Sequence, residues 1–221
     1  MGALTEKKIE QYWQVSFAVL AFLFVISTFI EPYPASWLIK VLPMIVLIFV
    51  AREKLDWIQN KWLIIGLVFS ALGDFVLDYF DASGFIFGLS AFFIAHIFYL
   101  FYFSRWTFSF KSSVIALLVL IYGLWAMSLI IDHLGELFIP VIAYMGILTV
   151  MAFASVFSVK SNPWFILGGI SFVISDSVLG INKFNSEVAY SHVIIMVSYY
   201  FAQYSLLKGS LDSLKFRVEN I

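Results

Sequence analysis

The stretch from Lys61 to Phe80, KWLIIGLVFSALGDFVLDYF, decides the fold. After Lys61 it stays apolar or small for a dozen residues, and its length matches the roughly 20 residues that carry a helix across a hydrocarbon core about 30 Å thick. Inside it, Asp74 and Asp78 stand one helical turn apart, so both carboxylates share a face. A companion stretch, Pro163 to Phe184, PWFILGGISFVISDSVLGINKF, places Asp176 in a similar setting.

The rest of the chain repeats the pattern. Of its 221 residues 62% are hydrophobic and 12% charged, against roughly 25% charged in a soluble domain. Apolar runs predict an all-α polytopic membrane protein of eight transmembrane helices, near 13–30, 36–51, 62–80, 84–104, 112–131, 137–158, 163–181 and 188–208. Breakers fall between them at Glu31-Pro32-Tyr33-Pro34, Ser83-Gly84 and Ser161-Asn162-Pro163. No linker divides the chain, which reads as one domain over 1–221. The polar N-terminus lacks a cleavable signal pattern, so the first span is expected to remain as an anchor. With no cysteine there is neither disulfide nor thiolate site. A net charge of −1 gives no reason to expect nucleic acid. The 25 Phe and 11 Tyr read as packing and interface anchors rather than a cofactor box.

Basic residues orient the spans. With eight alternating helices, one side collects Lys7, Lys8, Arg52, Lys54, Lys61, Arg105, Lys111, Lys160, Lys208, Lys215 and Arg217, and the other only Lys40 and Lys183. The positive-inside rule then predicts that both termini are cytoplasmic. Asp74 lies about 18 Å up the third span at 1.5 Å per residue, in the outer half of the core. Asp78 is one turn higher.

An internal repeat is also visible. Aligning Trp62 with Trp164, an offset of 102 residues, makes Trp, Ile, Gly, Asp, Val and Leu coincide over sixteen ungapped positions, and Asp74 falls on Asp176. Pro43 and Pro140 correspond roughly. Two parallel four-helix halves, about 1–108 and 109–221, are the expectation.

An aspartate in mid-membrane costs about 2.5–3.5 kcal/mol and usually faces the bundle interior or a cavity. The bland reading is an interhelical clasp. Two repeat-related aspartates with a third one turn above favour a site, since burial disfavours the charged form of a carboxyl and a like-charged neighbour separates two such groups in their protonation. Lys40 and Lys183 either snorkel to the outer interface or meet an anion. His96 lies at cavity depth and reads either as an interhelical hydrogen bonder or as a lining group. His133 and His192 read as surface residues. No HExxH or GxSxG spacing occurs, so neither a metal site nor a serine nucleophile is expected.

These elements form a longer series: Lys40-x-x-Pro43-Met44, Gly73-Asp74-x-x-Leu77-Asp78, Gly88-x3-Phe92-x3-His96-x2-Tyr99, Phe172-x-x-Ser175-Asp176-x-x-Leu179 with Lys183-Phe184, and Tyr199-Tyr200-x-Ala202-Gln203. In that order and over nearly the whole chain, they resemble the YhhN-like family of integral membrane proteins, which includes the eukaryotic lysoplasmalogenases. The resemblance implies a membrane hydrolase that splits the vinyl ether bond of a lysoplasmalogen or related lysophospholipid, with no cofactor. Membership alone leaves the substrate open, because bacterial members come from organisms not expected to make plasmalogens. The length and short loops resemble bacterial members, for which the location would be the plasma membrane. On this reading Asp74 and Asp176 form an acid–base pair tuned by Asp78. Lys40 and Lys183 meet the phosphate, and His96, Tyr99 and Tyr200 line the cavity. The competing class is a proton-coupled carrier using the same buried aspartates.

Overall fold

Asp56, Ser109 and Asn162 each begin a helix by accepting a bond from the amide three residues on: Gln59 at 3.0 Å, Ser112 at 3.1 Å and Phe165 at 3.1 Å. Such caps satisfy amides that the first turn leaves without a partner. In the third case Pro163 follows the cap, where its missing amide costs nothing. The computed structural model describes residues 2–30 and 33–219. Among them the helices are α1 (Gly2–Ser27), α2 (Ser36–Lys54), α3 (Trp57–Tyr79), α4 (Asp81–Tyr102), α5 (Phe110–Ile130), α6 (Phe138–Phe157), α7 (Pro163–Phe184) and α8 (Ser191–Glu219). Two short 3-10 turns, Ile131–His133 and Gly135–Leu137, join α5 to α6.

Among the described residues, five segments are long and apolar enough to cross a membrane: Trp57–Tyr79, Gly84–Tyr102, Phe110–His133, Gly135–Phe157 and Pro163–Phe184; Gln11–Ser27 is a shorter apolar helix. The outward side chains suit lipid. Leu117, Leu118, Ile121, Leu124 and Trp125 all stand exposed along α5. The helix ends differ from expectation most in four places, one of them the start of α3, which lies at Trp57 rather than 62. α1 starts at Gly2 and α8 runs on to Glu219. The break expected at Ser83-Gly84 comes earlier, with α3 and α4 joined through Phe80 alone. The breaker Glu31-Pro32 and the side chains of Lys7, Lys8, Lys215 and Arg217 lie outside the described residues.

Close approach of α3 to α4 depends on missing side chains. A Cβ on Gly66 would come within 2.3 Å of the Tyr99 ring, and one on Gly73 within 2.7 Å of the Phe92 ring. Phe92 therefore lies flat against α3 next to Asp74. α7 packs against α8 as α3 does against α4. α8 also meets α1, α2 and α3, which brings its buried face to the centre of the bundle.

The connections gather at two ends. At one, Thr107 and Val159 exchange backbone bonds with Phe157 and Arg105 (2.7 and 2.8 Å), tying the α4–α5 loop to the α6–α7 loop. Asn60 and Ser210 bond at 3.1 Å, and Asn162 donates to the Gly209 carbonyl at 2.9 Å, which brings in α8. At the other end Ser36, Lys40 and Asp78 meet, and the Lys183 ammonium lies 4.2 Å from the Phe85 ring centre.

Candidate functional site

Three aspartates legible in the sequence come together near this second end. Asp74, on α3, is 2% exposed. The Tyr199 hydroxyl of α8 donates to its Oδ2 at 2.5 Å. Asp176, on α7, takes a short hydrogen bond from the Tyr144 hydroxyl of α6. Both carboxylates line one cavity of about 60 Å³, with Lys40, Phe92, Tyr144, Ser175 and Tyr199 among its walls.

Above this chamber lies a wider vestibule of about 380 Å³, lined among the described residues by Lys40, Asp78, Lys183 and His192 together with Phe24, Phe85 and Met196. Lys40, Leu77, Phe85, Leu179, Ile195 and Met196 border both spaces, so the two are stacked and share a wall. Asp78 accepts from Ser36 Oγ at 2.5 Å and pairs with Lys40 at 3.9 Å. It holds the lysine at the neck between vestibule and chamber. The Lys40 carbonyl is itself fixed by the Tyr200 hydroxyl at 2.7 Å. This turn precedes Pro43, which lies inside α2, where a proline ring pushes on the preceding turn.

His96, Tyr99 and Tyr200 are placed differently from the expectation that they line the cavity. His96 is fully buried, and its Nδ1 bonds to the Phe92 carbonyl at 2.7 Å. A carbonyl only accepts, so Nδ1 carries the proton and Nε2 is left as an acceptor. Its ring packs edge-on against Tyr144 and Phe172 (5.6 and 5.1 Å) behind the chamber wall. Tyr99 donates to Gln203 Oε1 at 2.8 Å and meets Ser70 at 3.1 Å, in a polar layer deeper in the bundle. Tyr200 faces the α1 side of α8, where it packs on Phe17 and Phe24. The tyrosines that do touch the carboxylates are Tyr199 and Tyr144. Tyr199 was visible in the sequence motif next to Tyr200, but Tyr144 carried no signal beyond being a hydroxyl within an apolar helix. His133 and His192 are exposed.

The arrangement sets two carboxyl groups on one small, mainly apolar space, beside a vestibule with two cations suited to an anionic headgroup. The sequence profile of the YhhN family matches residues 35–210. Lysoplasmalogenase TMEM86A of Homo sapiens is 31% identical over 197 residues, covering 83% of this chain and 81% of that protein. Lysoplasmalogenase TMEM86B of Homo sapiens is 32% identical over 151 residues, 66% of this chain and 62% of that protein. A Mycobacterium bovis protein named lysoplasmalogenase is 31% identical over 137 residues, 57% of this chain and 51% of that protein. No solved structure matches the chain. The family match runs through every residue of the chamber and the vestibule neck from Lys40 to Tyr199, and the chain belongs to the YhhN family.

Proposed function

We propose that this protein is a membrane hydrolase that cleaves the vinyl ether bond of lysoplasmalogens, releasing a fatty aldehyde and a glycerophospho-headgroup. The observation that carries this reading is the convergence of Asp74 and Asp176 on one small chamber beneath a vestibule that holds Lys40 and Lys183. The names of the relatives point the same way.

The chemistry needs only protons and water. One carboxyl gives its proton to the outer carbon of the vinyl ether, and the ether oxygen shares its lone pair to form an oxocarbenium ion. The other carboxylate lies close enough to stabilise that cation, and takes a proton from the water that adds to it. The resulting hemiacetal collapses as its hydroxyl loses a proton and the departing glycerol oxygen gains one. Paired carboxylates divide the same labour in glycoside hydrolysis. Tyr199 and Tyr144 fix the two carboxyl groups, each through Oδ2. Asp78 orients Lys40, and Lys40 with Lys183 receives the phosphate.

The same reading sets the protein in the membrane with eight crossings and both termini in the cytoplasm, so that the vestibule opens at the outer face. In a bacterium that membrane is the plasma membrane. Its support is the gathering of the basic-rich loops at one end and of Lys40 and Lys183 at the other. Two parallel halves are supported by Gly66 and Gly168, which occupy matching places. Each lies at a close approach, Gly66 to α4 and Gly168 to α8, where an added Cβ would meet atoms at 2.3 and 3.1 Å.

Aldehyde release from a lysoplasmalogen by the purified protein tests the function. Asp74→Asn and Asp176→Asn should each lower turnover by at least about 10²-fold, the scale of a lost general acid or base, while lipid binding persists. Wild-type rates in either variant would dismiss the pair. No aldehyde from folded wild type would dismiss the substrate.

A further inference from the structure

A second space lies beside the vestibule, and the reaction just described does not use it. It is a groove of about 420 Å³ along the seam between α1 and α8, lined mainly by Phe17, Ala18, Ala21, Val25, Val197 and Phe201. Gln14 also lines it. The groove and the vestibule are neighbours. Val25 and Val197 of the groove directly follow Phe24 and Met196 of the vestibule. The Phe24 ring also packs edge-on against Tyr200, a groove residue, at 6.2 Å.

Taken together the two spaces have the polarity of a single-chain phospholipid. The cations Lys40 and Lys183 stand at one end. Below them an apolar trough descends from Val25 to Gln14, about 16 Å along α1 at 1.5 Å per residue. The junction between them is bordered by Met196, which also lines the chamber of Asp74 and Asp176. A lipid with its phosphate between the lysines and its chain in the trough would therefore present its head-to-tail junction, where a vinyl ether lies, at the chamber neck. Small side chains make this possible: Ala18 and Ala21 leave room where the flanking Phe17 and Phe22 would otherwise close the seam.

We propose that the α1–α8 groove is the binding site for the substrate's single alkyl chain, and that it opens sideways to the bilayer. The proposal rests on the vinyl ether reading, and its test separates the two. Ala18→Phe and Ala21→Phe fill the trough without touching the chamber. For a long-chain lysoplasmalogen each should raise KM about tenfold with kcat nearly unchanged, as expected when only binding of methylene groups is lost. For a short-chain analogue, KM should move less than twofold. Equal changes for the two chain lengths, or none, would overturn the proposal.

A second measurement uses the wild-type chain and needs no variant to fold. A lysophosphatidylethanolamine carrying a photoreactive diazirine near the chain end should label α1 between residues 14 and 25 and α8 between 197 and 204. Labelling spread equally over the exposed face of α5 would show bulk lipid only and would also overturn it. Absence of aldehyde from wild type at every chain length refutes the vinyl ether function, while the labelling pattern still reads the groove by itself.

Discussion

Tyr199 donates to a carboxylate that is 2% exposed, so its hydroxyl is what replaces water for Asp74. Tyr199→Phe keeps the ring and removes that bond. A hydrogen bond contributes about 0.5–1.5 kcal/mol between neutral groups and about 1.5–3 kcal/mol to a charged one, and the stability in detergent should fall by that order. Turnover should fall about 10- to 100-fold with KM little changed, because the bond aims a reacting group rather than holding substrate. Aldehyde release and thermal unfolding in the same detergent check both. Lys40→Met should behave in the opposite way. It removes the cation at the neck, 3.9 Å from Asp78, so KM should rise at least about tenfold for a phosphate-bearing substrate and stay level for a vinyl ether of glycerol without phosphate. At this scale the charged residues were legible and the tyrosines were not. A charge in a chain that is only 12% charged stands out, whereas 11 tyrosines look alike as anchors or packing. Helix phase does not rescue the choice. Tyr199 and Tyr200 point about 100° apart on a helix of 3.6 residues per turn, and α8 buries both, at 3% and 2% exposure. The apolar pattern therefore carries no sign of which one faces the carboxylate.

Among the elements, α3 and α4 form the tightest pair because Gly66 and Gly73 let aromatic rings lie on the α3 backbone. Gly66→Ala would push a methyl to within 2.3 Å of Tyr99. That ring has little freedom to yield, since its hydroxyl bonds Gln203 and Ser70. Overpacking of this kind costs about 1–3 kcal/mol. The variant should unfold at a lower temperature in detergent, and Gly146→Ala, where an added Cβ meets nothing within 4 Å, serves as the control. The start of α7 was legible because Asn162-Pro163 breaks the chain before an apolar run. By contrast, α3 begins at Trp57, five residues before the expected start at 62, because the polar residues Gln59 to Lys61 separate the Asp56 cap from the apolar stretch. Others were hidden for a physical reason. The α3–α4 connection is a single residue, Phe80, and carries no turn chemistry, so the nearby Ser83-Gly84 drew the boundary instead. Pro43 lies inside α2, and its preceding turn is fixed by a hydroxyl from α8.

For the whole molecule, hydropathy and packing weigh the helices differently. A scale of apolarity measures suitability for lipid, and it favours α3 to α7. α8 carries Gln203, Ser205 and Ser210, yet these side chains are at most 1% exposed. A helix wrapped by its neighbours can afford polar residues that lipid would reject. Eight crossings thus fit a bundle in which, among the described residues, five segments look lipid-like by themselves. Topology is directly measurable here because the native chain has no cysteine, so a single introduced thiol reports its own side. Ser104 and Asn185 are both exposed and lie in loops at opposite ends of the bundle. With the basic loops inside, Asn185→Cys should react with a membrane-impermeant maleimide in intact cells, and Ser104→Cys only after permeabilisation. The reverse pattern would turn the vestibule toward the cytoplasm and make the inner leaflet the source of substrate. Labelling of both thiols in intact cells would mean an even number of crossings between them instead of the three helices α5, α6 and α7, and the eight-span arrangement would fall.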